Sequence, residues 1–161
     1  MTASSDAPGQ IEALLQSYSA AWATKQTNPI AALWWPERFR FYKAEEALHY
    51  FTRWEDLLAY WRGNEGLHEL VDLRFGEFLH FPLSQDEYLS IAKMDWRIEF
   101  RAEAQTPDGA PFRHRGRAMA GFNHVLMLLR RQQEEWRFTG WSETPDAPPV
   151  YLTELYYRMA G

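Results

Sequence analysis

The amino-acid sequence predicts an α+β domain. Its sheet is strongly curved, mixed or antiparallel, of about six strands, with three N-terminal helices over the concave face and a short helix at the C-terminus. Three observations lead there. Helical spacing of apolar residues dominates the first third of the chain, period-two alternation dominates most of the remainder, and one extended segment is too long to stay straight. That segment runs over residues 116–129. At about 3.3 Å per residue it would measure roughly 45 Å, more than twice an ordinary strand. Gly116 and Gly121 are where it can bend, because glycine in a strand tolerates the bulge or kink that curls a sheet. A helix laid over a curled sheet leaves a cone-shaped cavity.

Taken in order, residues 1–9 read as a flexible lead, residues 10–145 as a single domain and residues 146–161 as a C-terminal helical extension. Ile11, Leu14, Leu15, Tyr18, Ala21 and Trp22 recur at intervals of three and four, the stripe of an amphipathic helix that covers the sheet. A break at Thr27-Asn28-Pro29 precedes a short helix over 30–35, which Pro36 closes. Alternation over 38–43 predicts a first strand, and 47–51 its hairpin partner. Thr52 and Glu55 have the spacing of a capping box, starting a helix that Gly63 ends. Segments 70–83 and 87–104 form a long hairpin about the polar turn Ser84-Gln85-Asp86. In the second arm Met94, Trp96, Ile98 and Phe100 share one face and charged residues share the other. The last helix carries Leu152, Leu155, Tyr156 and Met159 on one stripe.

Composition narrows the function classes. The net charge is −5 with acids and bases interspersed, so there is no basic stripe for nucleic acid. There are no cysteines, which excludes disulfides and thiolate chemistry. The first ten residues lack the features of a signal peptide and no apolar run is long enough to cross a membrane, so a cytoplasmic location without membrane association is expected. No two histidines have ligand spacing on one element, and no metal is expected. Eight tryptophans, within 16% aromatic residues, exceed what the core of one domain needs and point to the walls of a pocket or a subunit interface.

The candidate site residues follow from this plan. Tyr18, on the helical stripe, is either a hydroxyl that polarises a carbonyl or a core tyrosine bonded to backbone. His80, between Leu79 and Phe81, is either a desolvated general base or a buried histidine satisfied by a neighbour. Asn123 and His124 are adjacent on one strand and must face opposite ways; the register puts Asn123 inward and leaves His124 for a dimer contact. Trp22, Trp35, Phe41, Trp61, Trp96, Val125, Met127 and Trp141 are the expected lining of the cone.

The order of elements, the Trp-bearing end of the first helix, the Gly116-Arg117 start of the fifth strand and the closing pattern Glu135-Trp-Arg-Phe-Thr-Gly-Trp-Ser142 resemble the nuclear transport factor 2-like superfamily. Within it the chain looks most like the SnoaL-like proteins, relatives of ketosteroid isomerase, scytalone dehydratase and limonene epoxide hydrolase. The resemblance covers roughly residues 10–145. It implies a cystatin-like cone, a six-stranded sheet around a conical pocket, no cofactor, and a homodimer through the outer sheet face. Tyr18 matches the oxyanion-donating tyrosine of ketosteroid isomerase. That enzyme's base falls near Lys43, just ahead of Glu45 and Glu46, and its second acid falls among the apolar residues 125–127. The tyrosine and aspartate of scytalone dehydratase fall on Trp22 and Ala23, and of its fifth-strand polar positions only Asn123 is polar here. Those reactions therefore do not carry over residue by residue.

Two functions remain. One is a cofactor-independent isomerase, dehydratase or cyclase for a small apolar molecule, with Tyr18 and Asn123 holding an oxygen and His80 moving the proton. The other is a non-catalytic module for small-ligand binding or dimerisation.

Overall fold

The computed structural model describes residues 6–147 and 149–160. Helix α1 (Ala7–Ala23) opens on Asp6, whose carboxylate accepts from the Gly9 amide at 3.1 Å. That contact satisfies one of the amides a helix start leaves free. The helix thus begins inside the stretch read as a lead, and residues 1–5 of that lead lie outside the described residues. Ile11, Leu15, Tyr18 and Ala21 are buried on its inner stripe, as their spacing requires.

Helix α2 (Thr27–Ala31) starts earlier and is shorter than the helix expected over 30–35. The Thr27 amide is held by the Glu65 carboxylate at 2.7 Å, and beyond Ala31 the sheet edge captures the backbone. Trp35 donates to the Phe138 carbonyl and Phe138 donates to that of Leu33, at 3.0 and 3.1 Å. One 3₁₀ turn, Pro36–Arg38, leads into β1 (Phe41–Lys43). Its expected hairpin partner over 47–51 is reduced to a single bridge between Tyr42 and Phe51. Helix α3 (Trp54–Asn64) is capped at Arg53 with no side-chain bond, so the Thr52–Glu55 capping box does not form. Gly63 lies within the helix; Gly66, at φ +84°, takes the left-handed turn that follows.

The remaining strands are β2 (His68–Ser84), β3 (Glu87–Phe100), β4 (Ala118–Gln132) and β5 (Glu135–Pro145). The sheet has five strands in the order β1-β5-β4-β3-β2, one fewer than expected because the small hairpin is absent. It is mixed: β1 runs parallel to β5 and the other pairs are antiparallel.

β4 is one continuous ribbon, paired with β3 without interruption from Arg130 to Ala118. The register breaks are not at its glycines. Three fall in β2, near its two ends and between Gly76 and Leu79, where Glu77 has φ +53°, and one in β5, where Thr139 is the extra residue opposite Leu128 and Leu129. Such extra residues bend the strand that carries them. Gly116, at φ +68°, turns the chain before β4 begins. Gly121 instead makes room for a neighbour. A Cβ there would sit 2.9 Å from Cζ2 of Trp96, so its absence lets that indole lie against the ribbon.

The core is where α1 and α3 meet the concave face. Ile11, Leu15 and Leu57 pack with Val125, Met127, Leu129, Phe138 and Trp141, all essentially inaccessible to solvent. Each such side chain contributes about 1.5–3 kcal/mol on burial. Helix α4 (Pro149–Ala160) forms as expected, but Leu152, Leu155, Tyr156 and Met159 remain exposed. No helix among the described residues is long and apolar enough to cross a membrane.

Candidate functional site

The sheet's curvature leaves space that the core does not fill. A cavity of about 480 Å³ extends along the inward row of β3, touching Met94, Trp96, Ile98 and Phe100. Tyr18 and Trp22 of α1 form one wall, Tyr42 and Ala44 of the β1 region another, and Tyr60 and Asn64 of α3 a third. Asn123 of β4 and Glu143 of β5 complete its polar end.

Glu143 is the chemically distinctive group. Trp141 Nε1 donates to its Oε1 at 2.8 Å, and Asn123 Nδ2 and the Glu45 amide donate to its Oε2 at 3.1 and 3.3 Å. Asn123 is itself fixed, because Trp96 Nε1 donates to its Oδ1 at 3.2 Å. Burial pushes the Glu143 carboxyl up to about 7, the nearby charge of Glu46 adds to the push, and the three donors oppose it. The group therefore exchanges its proton near neutrality, the range that suits a general acid or base.

Around it are phenols. Tyr18 and Tyr42 are held well above the ordinary tyrosine range, by burial first and by the neighbouring Glu143 among the further causes. Tyr60 is raised for the same first reason and donates to the Glu46 carboxylate. All three remain neutral hydrogen-bond donors at physiological pH. The Tyr18 ring stands 4.6 Å from Trp141 and 6.1 Å from Trp22, so aromatic contacts fix its orientation.

The far end of the cavity is formed by His68, Phe112, Arg113 and His114. Burial lowers both histidines from their ordinary values, and for His114 the charges of Arg113 and Arg117 act in the same direction.

The structure gathers only some of the expected site. Tyr18, Asn123, Trp22 and Trp96 line the cavity. Asn123 is buried and His124 is exposed, as the register required, with His124 Nε2 3.7 Å from Asp146. His80 does not reach the cavity. Its Nδ1 meets Ser90 Oγ at 2.9 Å and its Nε2 meets Glu12 at 3.3 Å, which ties α1 to the sheet. Trp35 lies outside the cavity too, with the guanidinium groups of Arg38 and Arg130 over its ring. Phe41 packs on Gly140 and Tyr50. Trp61, Val125, Met127 and Trp141 are core residues behind the wall rather than lining.

Glu143, Tyr42, Tyr60 and the two cavity histidines were missed. Glu143 had a usable signal: it stands two residues after Trp141 on a strand, so an inward Trp141 implies an inward Glu143. Tyr42 belonged to a hairpin that does not form, His68 is the first residue of β2, and His114 sits in a loop without periodicity.

No protein-family model and no curated protein sequence matches the chain. Solved structures do. One described as a scytalone dehydratase, from Novosphingobium aromaticivorans DSM 12444, superposes with a TM-score of 0.70 at 10% identity, covering 87% of this chain and 84% of that one. Another, described as a dehydratase of the NTF2-like family from Streptomyces avermitilis, gives 0.69 at 10% identity over 88% and 97%. The hexachlorocyclohexane dehydrochlorinase LinA type 2 gives 0.65 at 11% identity over 87% and 85%. At such identities the likeness is one of fold.

Proposed function

Because this chain has the fold of the nuclear transport factor 2-like superfamily, we propose that it is a cofactor-independent acid–base enzyme acting on a small, largely apolar carbonyl compound. The observation that carries the reading is the Glu143 carboxyl, placed in an apolar cavity, held by three donors and poised to titrate near 7. The two dehydratase-like structures and the dehydrochlorinase, an eliminating enzyme by name, support the class of reaction.

Glu143, ionised, takes a proton from the carbon beside the carbonyl, and the electron pair moves onto the carbonyl oxygen. A neutral tyrosine, Tyr18 foremost, donates to that oxygen as charge develops. The protonated Glu143 then returns the proton to another carbon, giving isomerisation, or gives it to the β-hydroxyl, which leaves as water while the enolate collapses, giving dehydration. A positioned base contributes roughly 10² to 10⁴ in rate. Asn123 and Trp141 are positioning residues that fix the carboxylate plane. His80, tied to Ser90 and Glu12, takes no part.

The test is deuterium incorporation from D₂O, followed by NMR or mass spectrometry, into a panel of apolar ketones with and without a β-hydroxyl. The wild-type chain exchanges or eliminates at least one of them and Glu143→Gln does so at least 100-fold more slowly. Equal rates in the two proteins would contradict the mechanism. Binding of panel members without any exchange would leave the chain a ligand-binding module instead.

A second copy of the chain is part of the same proposal. Leu79, Phe81, Phe122 and Leu126 are exposed on the outer sheet face, an apolar surface that a second copy would cover. Light scattering would give a dimer mass for the wild type and a monomer mass for Phe122→Asp. A wild-type monomer at tens of micromolar would contradict it.

A further inference from the structure

The cavity has two polar ends, and the second reads as a site for an anion. Asn123, which holds Glu143, pairs with Met94 on β3. The His114 ring lies 6.0 Å from the ring of Phe100, six residues further along the same strand. The two levels are about 20 Å apart at the rise of a strand. Between them the wall on β3 is Trp96, whose indole N–H is taken up by Asn123, and Ile98.

At the Phe100 level, Arg113 Nε donates to His114 Nε2 at 2.7 Å. A ring nitrogen that accepts from a guanidinium must present its lone pair, so the ring is neutral and its proton sits on Nδ1. That Nδ1 is buried and has no partner. Protein atoms close that nitrogen off from the cavity space, so the group free to meet a ligand there is the guanidinium. Arg113 lines the cavity, and among the described residues no carboxylate pairs with it. Burial and the adjacent guanidinium groups of Arg113 and Arg117 disfavour a proton on His114, which agrees with the tautomer the geometry demands. The other titratable groups on the lining include His68, Glu45, Glu46 and Glu143, besides the neutral tyrosines. Glu46 already accepts from Tyr60 and Glu143 from three donors, so neither competes for Arg113.

We propose that the natural occupant is an amphipathic carboxylate, its apolar body along Trp96 and Ile98 and its carboxylate oxygens bound by the Arg113 guanidinium. This deepens the acid–base reading, on which it rests only for the statement that the opposite end of the same molecule meets Glu143. A charge-assisted bond to arginine is strong and directional, and an ester or alcohol cannot replace it.

The test is calorimetric titration with 8-phenyloctanoate and with its methyl ester. Wild-type protein binds the carboxylate at least tenfold more tightly than the ester. Arg113→Gln abolishes that preference while changing ester affinity less than twofold, and Arg113→Lys retains part of it. Arg115→Gln, an exposed neighbour off the lining, keeps it whole. Equal affinity of wild type for acid and ester, no binding of either, or equal weakening of both by Arg113→Gln overturns the proposal. The deuterium-exchange assay on Glu143→Gln judges the acid–base reading separately. Acid preference without exchange keeps the anion site and loses catalysis, and exchange without acid preference does the reverse.

Discussion

Trp141 Nε1 reaches Glu143 Oε1 at 2.8 Å along the same inward edge of β5, so the indole that anchors the core also aims the carboxylate. The sheet's packing and its candidate chemistry thereby share one hydrogen bond. Removing the indole would free the acid as well as hollow the core.

Stability should record the Glu143 proton. The folded carboxyl is raised from 4.5 to about 7, so between those values the folded state binds more protons than the unfolded state. Stability is then greatest below about 4.5 as far as this group is concerned, falls as pH rises towards 7, and levels off above it. The total loss is on the order of 3 kcal/mol. Urea unfolding of wild type and Glu143→Gln at pH 5 and pH 8 checks the sign. The wild type loses more stability over that interval than the variant does.

Tyr18→Phe separates chemistry from packing. The ring contacts with Trp22, Phe138 and Trp141 survive, and only the hydroxyl is lost. Turnover on a substrate identified by deuterium exchange should fall roughly 10² to 10³. Unfolding free energy should change by no more than about 1.5 kcal/mol. Unaltered kcat would remove Tyr18 from the mechanism.

His80→Leu should show the opposite pattern. Ser90 Oγ, fully buried, would lose the partner it has at 2.9 Å. That costs about 1–3 kcal/mol. Denaturant midpoints should drop accordingly, while exchange activity per folded molecule holds at the wild-type level.

The general plan was legible in the sequence because it rests on periodicity. The three-four spacing of Ile11, Leu15 and Tyr18 and the alternation through Met94, Trp96 and Ile98 are consequences of burial on one face, and both elements form, β3 ending at Phe100 rather than at residue 104. Asn123 faces inward for the same reason. What was not legible depends on partners far away in the chain. The 47–51 strand shrinks to the single Tyr42–Phe51 bridge, and the full-length neighbour of β1 is the distant β5, on its other edge. His80 has an apolar local setting that looks like a desolvated base, but Glu12, 68 residues earlier, decides its role. Bends fall at Glu77 and Thr139 rather than at Gly121, whose lack of a side chain is used by Trp96.

Gly121→Ala tests that last reassignment. The new methyl would lie 2.9 Å from Trp96 Cζ2 and 3.3 Å from its Nε1, displacing the indole that holds Asn123. Destabilisation of about 1–3 kcal/mol is expected from such overpacking. Trp96 fluorescence should shift and affinity for cavity ligands should fall. A variant with wild-type stability and binding would show that the close approach is unimportant.

Carbon-13 NMR of protein labelled at the glutamate side-chain carboxyl, titrated from pH 3 to pH 9, addresses Glu143 itself. One resonance should titrate near 7 and be absent from Glu143→Gln, while solvated glutamates titrate in the ordinary carboxylate range. If the resonance that disappears in the variant titrates at 4 to 5 with the others, Glu143 is an ordinary carboxylate and the proposed acid–base site does not exist.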